Sequence, residues 1–307
     1  IWNEPNHPDF LRPQRRQGNP ASPTLYRNLY LAGLRGLRAS GNRSDLTLFG
    51  ETAPRGGQTV DPIPFIKGAL CLNDNFRRVR RCGRLRMDGY AHHAYTTSAG
   101  PLFQPPNADE VTFGVIDRIP AALDRAARTG AVRSGVDLYL TEFGIQSYPD
   151  RISGVPLAKQ AENLAIAERI AYANPRVRSF SQYLMRDDKP RKGTAAQRYG
   201  GFETGLRFHD GRKKPAYDGF RLPLAVADYG SSDVLWGRVR PFPRRTRVLI
   251  QVSSRRGWRN LRTVDTNAIG VFGSRARHRK GQRYRVQWTS PEGKVFRGPP
   301  IRPYKRR

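Results

Sequence analysis

Two apolar segments, far apart in the sequence, each end in a single glutamate, and this constrains the fold more than any other feature. Residues 1–6 read IWNEPN, so the apolar start meets Glu4 and then Pro5, which cannot continue a strand. Residues 136–144 read VDLYLTEFG, so a second apolar run ends at Glu142 and a glycine. Both segments are predicted to be buried strands. Because the strands of a parallel barrel open their carboxyl ends on one face, both acids are expected there.

Strand-like and helix-like segments alternate along the first two thirds of the chain. The further predicted strands are residues 46–52, 87–95 and 177–185, and the predicted helices cover residues 22–40, 61–72, 109–128, 156–172 and the stretch from about 211 to 220. Such alternation favours βα units around a parallel sheet, and so an α/β fold. With the segment that ends at Glu4, five strands and five helices are predicted, where a closed barrel needs eight of each.

Beyond Leu224 the pattern changes to short β-type runs separated by turn residues. These runs lie at residues 234–239, 248–252, 261–264, 271–272 and 284–288. Their spacing predicts a small all-β sandwich, immunoglobulin-like in length and strand count. We therefore predict one domain over residues 1–225 and a β-sandwich accessory domain over residues 226–307. The accessory domain can be a structural spacer or a module that binds carbohydrate surfaces.

The two acidic segments resemble the motifs of a known group of enzymes. Asn3-Glu4-Pro5 and Thr141-Glu142-Phe143-Gly144 resemble the acid/base and nucleophile motifs of the retaining clan A glycoside hydrolases, most like the cellulase and β-xylosidase families, 5 or 39. In that clan the first motif closes strand four and the second closes strand seven. The resemblance therefore implies a (β/α)8 TIM barrel that begins at strand four and lacks strands 1–3. Those strands are expected in sequence upstream of Ile1.

A pair of carboxyl groups at one sheet face suits glycoside hydrolysis by a retaining double displacement. The resemblance assigns Glu4 as the general acid and then base, and Glu142 as the nucleophile, acting on the β-glycosidic bonds of a poly- or oligosaccharide. The alternative is a non-catalytic carbohydrate- or polyanion-binding protein on the same scaffold, with the acids kept only as structure. Whether the chain is active without strands 1–3 stays open at this point.

Three aromatic or imidazole side chains are candidates for the sugar site. His93 and Tyr95 share one face of a predicted strand because strand side chains alternate, while His92 points away. The resemblance implies that the Tyr95 hydroxyl contacts the nucleophile, and such a bond would favour the ionised carboxylate. The structural alternative for His93 is a core histidine with satisfied hydrogen bonds, and for Tyr95 it is simple packing. The clan commonly presents a Trp at strand eight, and here Tyr183 is the candidate replacement as a stacking platform.

Asn3 completes the predicted substrate-binding set. The resemblance implies that its side chain hydrogen-bonds the 2-hydroxyl of the sugar. The sequence contains no HExxH, GxSxG, GKS/T or CxxC motif, so neither a metal nor a cofactor is expected. The expected partner is the carbohydrate substrate.

Basic residues dominate the composition. Lys and Arg number 55 against 25 Asp and Glu, which gives a net charge of +30. From residue 225 to the end there are 21 basic and 4 acidic residues. One explanation is an arginine-rich solvated surface. The other is contact with a polyanion through the basic C-terminal domain.

The only two cysteines, Cys71 and Cys82, are close together in the sequence. An even pair this close can close a small loop, and the spacing fits no zinc motif, so a disulfide is predicted over the alternative of two free thiols. A disulfide indicates an oxidising compartment. We therefore expect a secreted protein whose signal peptide lies upstream. No apolar run is long enough for a membrane span.

Overall fold

The computed structural model describes residues 1–79, 82–96, 98–242 and 244–305 as a mixed α/β protein. The helices are α1 Ser22–Ala39, α2 Pro62–Ala69, α3 Arg118–Ala127, α4 Leu157–Ala173, α5 Ala195–Arg198 and α6 Pro215–Arg221. The strands are β1 Arg15–Arg16, β2 Asn19–Pro20, β3 Leu48–Thr52, β4 Gly89–His93, β5 Asp137–Phe143, β6 Val177–Gln182, β7 Leu224–Asp228, β8 Ser232–Arg238, β9 Arg247–Ser254, β10 Gly257–Asp265, β11 Val271–Arg277, β12 Tyr284–Thr289, β13 Val295–Arg297 and β14 Tyr304–Lys305. Within the described ranges, every helix is too short or too polar to cross a bilayer.

The chain divides into two compact units. The first unit comprises Ile1–Thr96, Phe103–Phe143 and Asn174–Gln182. The second unit comprises Thr97–Leu102, Gly144–Ala173 and Tyr183–Arg307.

A four-stranded parallel sheet forms the centre of the first unit. Its strand order is β3-β4-β5-β6, which is also the order along the chain, and every neighbouring pair is parallel. The spacing of Tyr26 and Tyr30 places both rings on one face of α1, where they pack with Phe49 of β3. Phe143 and Phe180 pack together at the other end of the sheet. The four strands agree with four of the five predicted strands to within a few residues.

The predicted strand at the start of the chain is wrong. Residues 1–3 form no strand, and Trp2 and Glu4 have positive φ angles of 73° and 36°. Extended strands need negative φ, so this backbone cannot join a sheet ladder. The four parallel strands form an open sheet, because β3 and β6 each have one neighbour in the strand order. The described residues therefore form an α/β fold without a closed barrel.

The second unit contains two further four-stranded sheets. Their orders are β10-β9-β12-β13 and β11-β8-β7-β14, and all pairs are antiparallel except β7 with β14. Alternating apolar residues from both sheets, such as Val226, Leu235, Ile250 and Val286, meet in one buried core. This core explains the alternating β-type runs beyond Leu224. The immunoglobulin-like topology and the domain boundary at residue 225 stay predictions.

The disulfide prediction is confirmed. Cys71 and Cys82 are joined by a disulfide in the first unit, with their Cα atoms 6.2 Å apart. That separation is ordinary for a disulfide. The bond closes a small loop after α2.

Candidate active site

A buried asparagine fixes the backbone that carries Glu4. The Asn6 side chain is fully buried, and its amide donates to the carbonyl oxygens of Ala53 and Val60 at 2.9 and 3.0 Å. Its amide oxygen accepts from the Ala53 backbone N–H at 2.8 Å. A turn also forms here, in which the His7 N–H donates to the Glu4 carbonyl at 2.8 Å. Glu4 is therefore held against the segment that follows β3.

Glu51 lies at the carboxyl end of β3, where the strand departs from regular pairing. The register with β4 shifts between Gly50 and Thr52, so Glu51 occupies a bulge, and its φ angle is +52°. A bulge redirects the side chain at that point of the strand, and bulges are frequent beside functional sites. Gly50 also has a positive φ, and a Cβ there would meet the carbonyl oxygen of Ala91 at 2.5 Å. The glycine permits the close backbone approach that the bulge requires.

The His93 ring lies close to three glutamate side chains. At the end of β4, its Nδ1 lies 2.8 Å from Glu4 Oε1 and its Nε2 lies 2.7 Å from Glu51 Oε2. Glu142 is the register partner of His93 on β5, and its Oε2 lies 3.5 Å from His93 Nδ1. Three carboxylates therefore surround one imidazole ring.

Hydroxyl groups complete the arrangement. The Tyr95 hydroxyl donates to Glu142 Oε2 at 3.1 Å, and Thr141 Oγ1 donates to Glu51 Oε2 at 2.7 Å. The Tyr95 ring also packs against Phe143, with centroids 6.3 Å apart. The Tyr95 hydroxyl therefore contacts Glu142, and its role in a sugar site stays a prediction.

The imidazole of His93 is charged at neutral pH. Burial alone would lower its pKa, because a low-dielectric surrounding disfavours the charged ring. Hydrogen bonds to Glu4 and Glu51, with the nearby charge of Glu142, outweigh burial and raise the pKa of His93 to about 9. A ring that donates from both nitrogens has no lone pair left for a metal ion.

The carboxyl groups experience unlike surroundings. Burial raises the pKa of Glu51, but the bonds from His93 and Thr141 prevail and lower it below the ordinary value. For Glu142, burial prevails and raises the pKa, aided by the charges of Glu4 and Glu51 and opposed by His93 and the Tyr95 hydroxyl. The Tyr95 bond therefore acts in the expected direction, while the net shift of Glu142 is upward.

The cluster formed by His93 and the three glutamates is open to solvent on the side of the carboxylates. The His93 side chain is only 1% exposed, whereas the side chains of Glu4, Glu51 and Glu142 are 16%, 20% and 27% exposed. Solvent therefore reaches all three carboxylates while the imidazolium lies beneath them. A ligand that approaches from solvent meets the acids first.

The structure brings together four of the six predicted catalytic and substrate-binding residues, namely Glu4, His93, Tyr95 and Glu142. Asn3 is an exposed residue beside Glu4, and Tyr183 lies in the second unit, where its ring contacts Phe202. The binding roles of Asn3 and Tyr183 stay predictions. His92, which is predicted to point away from the face of His93 and Tyr95, is fully buried and hydrogen-bonds Thr52 and the Val111 carbonyl.

Glu51 is the site residue that the sequence analysis missed. Residues 46–52 are predicted only as a strand, without a role for Glu51. The signal was present, because residues 46–52 read LTLFGET, an apolar run that ends in an acid, as the run before Glu142 does. Its contact with His93 depends on the bulge, which the residue pattern does not reveal.

Among the described residues of the second unit, one group has the residue types of a metal site. Asp228, Asp233 and His278 place one ligand atom each within 4.8 Å of one another. His278 Nδ1 lies 2.8 Å from Asp233 Oδ1, and the Tyr284 hydroxyl donates to the other Asp233 oxygen at 2.7 Å. Hydrogen bonding to Asp233 raises the pKa of His278. An ion pair therefore accounts for the buried Asp233 charge without a metal.

Comparison with known proteins gives a likeness in structure only. No protein-family model and no curated protein matches the sequence. Similar solved structures include the beta-glucuronidases of Parabacteroides merdae and Bacteroides uniformis, each 13% identical, with TM-scores of 0.37 and 0.36 and with 93% and 92% of this chain covered. An FMN-binding beta-glucuronidase from Facaelibacterium prausnitzii L2-6 is also 13% identical, with a TM-score of 0.34 and 91% of this chain covered.

The chain spans less than half the length of these beta-glucuronidases, namely 39%, 40% and 44%. At such identities and TM-scores the likeness assigns neither a family nor an activity to this chain.

Proposed function

We propose that this chain carries the catalytic carboxyl pair of a retaining glycoside hydrolase that acts on β-linked poly- or oligosaccharides. One observation carries the proposal. Glu4 Oε1 and Glu142 Oε2 lie 2.8 and 3.5 Å from His93 Nδ1, so these two carboxylate oxygens are at most about 6.3 Å apart. Retaining glycosidases use a short carboxyl separation, and inverting ones need a longer gap that admits a water molecule.

The proposed reaction has two steps. First, the Glu142 carboxylate attacks the anomeric carbon while Glu4 gives a proton to the departing glycosidic oxygen. The glycosyl group is then bonded to Glu142. In the second step Glu4 takes a proton from a water molecule as that water attacks the anomeric carbon, and Glu142 leaves as a carboxylate. Two inversions retain the configuration.

The charged histidine contacts both members of the pair, and the shorter contact is to Glu4. His93 Nδ1 lies between Glu4 and Glu142, so its positive charge stabilises whichever acid is ionised at each step. Glu51 binds the other ring nitrogen and keeps the ring charged and oriented. We assign Glu51 as a positioning residue, because it acts through His93.

The proposal extends to the fold and the compartment. Strands β3 to β6 correspond to strands five to eight of a (β/α)8 barrel of the cellulase or β-xylosidase kind. The support is their parallel order and the convergence of β3, β4 and β5 ends on one cluster. The Cys71–Cys82 disulfide supports a secreted protein.

The test is hydrolysis of a panel of aryl β-glycosides by the whole protein. Glu142→Gln is expected to lower kcat by roughly a thousandfold or more, because the nucleophile is lost. Glu4→Gln is expected to spare kcat/KM for substrates whose leaving group needs no proton, such as dinitrophenyl glycosides, and to lower it for poorer leaving groups. Its kcat should fall for both kinds of substrate, because the second step loses its base. Glu110→Gln, in the first unit but outside the cluster, is the control. Equal rates in all four proteins would remove the proposal.

A second candidate is a non-catalytic carbohydrate-binding protein on the same scaffold. The observation that favours it is the ion pairing of His93 with Glu4 and Glu51, because such pairs also occur as structure. In that case β-oligosaccharides bind with equal affinity to the wild type and to Glu142→Gln. Isothermal titration together with the hydrolysis assay separates the two candidates.

A further inference from the structure

A groove on the second unit is lined by five arginines. It lies between β10 and β11, which are the end strands of their two sheets, and its volume is about 380 Å³. The arginines are Arg259, Arg262, Arg275, Arg277 and Arg279. We propose that this groove, here called the arginine groove, binds an acidic polysaccharide through its carboxylate or sulfate groups.

The charge of the arginine groove is uncompensated. No acidic residue lines it, and none of the five arginines forms an ion pair with a carboxylate among residues 1–79, 82–96, 98–242 and 244–305. Elsewhere in the second unit, by contrast, Arg238 and Arg240 both pair with Glu168. Like charges gathered in one concave surface repel each other and concentrate anions there. An anionic ligand removes that repulsion.

Protection of exposed sheet edges explains part of the arginine content of β10 and β11. Charged side chains on end strands oppose pairing with other chains, and β10 and β11 are both end strands. That role needs outward charges on each strand separately. Here arginines of two strands and of the following loop, which carries Arg279, line one cavity. Convergence on a shared volume indicates a ligand site rather than edge protection alone.

The other lining residues favour a sugar polymer over nucleic acid. They are Ser232, Leu261, Ala276 and Gln282. The hydroxyl and amide groups suit sugar hydroxyls, and no aromatic ring is present on which a nucleobase would stack. A volume of about 380 Å³ lies within the usual range of small-ligand clefts. Guanidinium groups bind carboxylate and sulfate through paired hydrogen bonds.

The experiment measures binding of fluorescent heparin and polygalacturonate to the whole protein at low and moderate salt. The groove variant carries Arg259→Gln, Arg275→Gln and Arg277→Gln. The control variant carries Arg244→Gln, Arg245→Gln and Arg255→Gln, which remove the same charge from exposed sites outside the groove. We expect affinity to fall at least tenfold in the groove variant and less than threefold in the control.

Several results would overturn the proposal. One is an equal loss of affinity in both variants, which would indicate that binding depends on net charge alone. Another is the absence of binding at low salt, and a third is tighter binding of single-stranded DNA of matched charge. If the groove variant unfolds, the single variants Arg275→Gln and Arg277→Gln take its place, each with a several-fold loss expected. The test is independent of the proposed hydrolysis, because Glu142→Gln protein must bind the same polymers equally well.

Discussion

At the scale of single residues, the account depends on one buried imidazolium and the acids around it. His93 is charged because Glu4 and Glu51 bind its two nitrogens and Glu142 lies beside it. The residue pattern predicted three of these four residues, since Glu4, His93 and Glu142 each stand at or near the end of an apolar run. It did not predict Glu51, because a bulge redirects the side chain, and strand alternation then no longer predicts on which face of the sheet that side chain lies.

The role of Glu51 gives the first prediction. Glu51→Gln keeps the shape of the side chain but removes its charge, so the pKa of His93 is expected to fall from about 9 by roughly one unit. An NMR titration of the His93 ring measures this shift. Glu110→Gln should leave the His93 titration unchanged. An unaltered pKa in Glu51→Gln would show that Glu51 does not hold the proton on His93.

The raised pKa of His93 also predicts how stability depends on pH. The folded state binds the proton more tightly than the unfolded state, whose histidine has a pKa near 6.5. The stabilisation is therefore complete below about pH 6.5 and is lost as the pH rises through about 9. Its size is on the order of 3 kcal/mol.

Urea unfolding of the wild type and of His93→Gln between pH 6 and 10 measures this effect. The difference in unfolding free energy between the two proteins should shrink as the pH rises. A gap that stays constant, or that widens above pH 8, would contradict a charged His93.

At the scale of elements, a buried side chain replaces the strand that was predicted at residues 1–3. Asn6 supplies three hydrogen bonds to backbone groups after β3. We expect Asn6→Ala to cost roughly 3 kcal/mol of unfolding free energy, since it leaves buried backbone groups without partners. Asn19→Ala, at an exposed site, should change stability by less than about 0.5 kcal/mol. Similar effects at both sites, measured by urea unfolding, would refute the anchoring role of Asn6.

The disulfide gives a second prediction at this scale. Replacing Cys71 and Cys82 by alanine frees a short loop in the unfolded chain, which should cost about 3 kcal/mol. The measurement is thermal unfolding of Cys71→Ala/Cys82→Ala against the wild type in the absence of reductant. The same melting temperature in both proteins would show that the bond contributes no stability.

Strand boundaries were predictable wherever a strand has neighbours. The apolar runs that became β3, β4, β5 and β6 bury their side chains in a sheet, so their pattern reports their structure. Residues 1–3 look equally strand-like, but positive φ at Trp2 and Glu4 excludes an extended ladder. Local pattern gives no information on whether a partner strand is present.

At the scale of the whole molecule, the sequence predicted a parallel α/β part and a β-rich part, and the described residues contain both. It also predicted a (β/α)8 barrel lacking strands 1–3, and the described residues contain four parallel strands in an open sheet. Barrel closure depends on strand number and stagger, which are properties of the complete sheet rather than of any segment. The strong positive charge was predictable from composition. The arginine groove was not, because its arginines come together only when strands of two sheets pack side by side.

The central claim is that Glu4 and Glu142 form one catalytic pair above His93. Covalent trapping with 2-deoxy-2-fluoro β-glycosides tests it most directly, because such substrates stop a retaining enzyme after its first step. The account predicts a glycosyl adduct on the peptide that contains Glu142, found by mass spectrometry and absent from Glu142→Gln. Hydrolysis that proceeds with the adduct on Glu51, or with inversion of configuration, would contradict it.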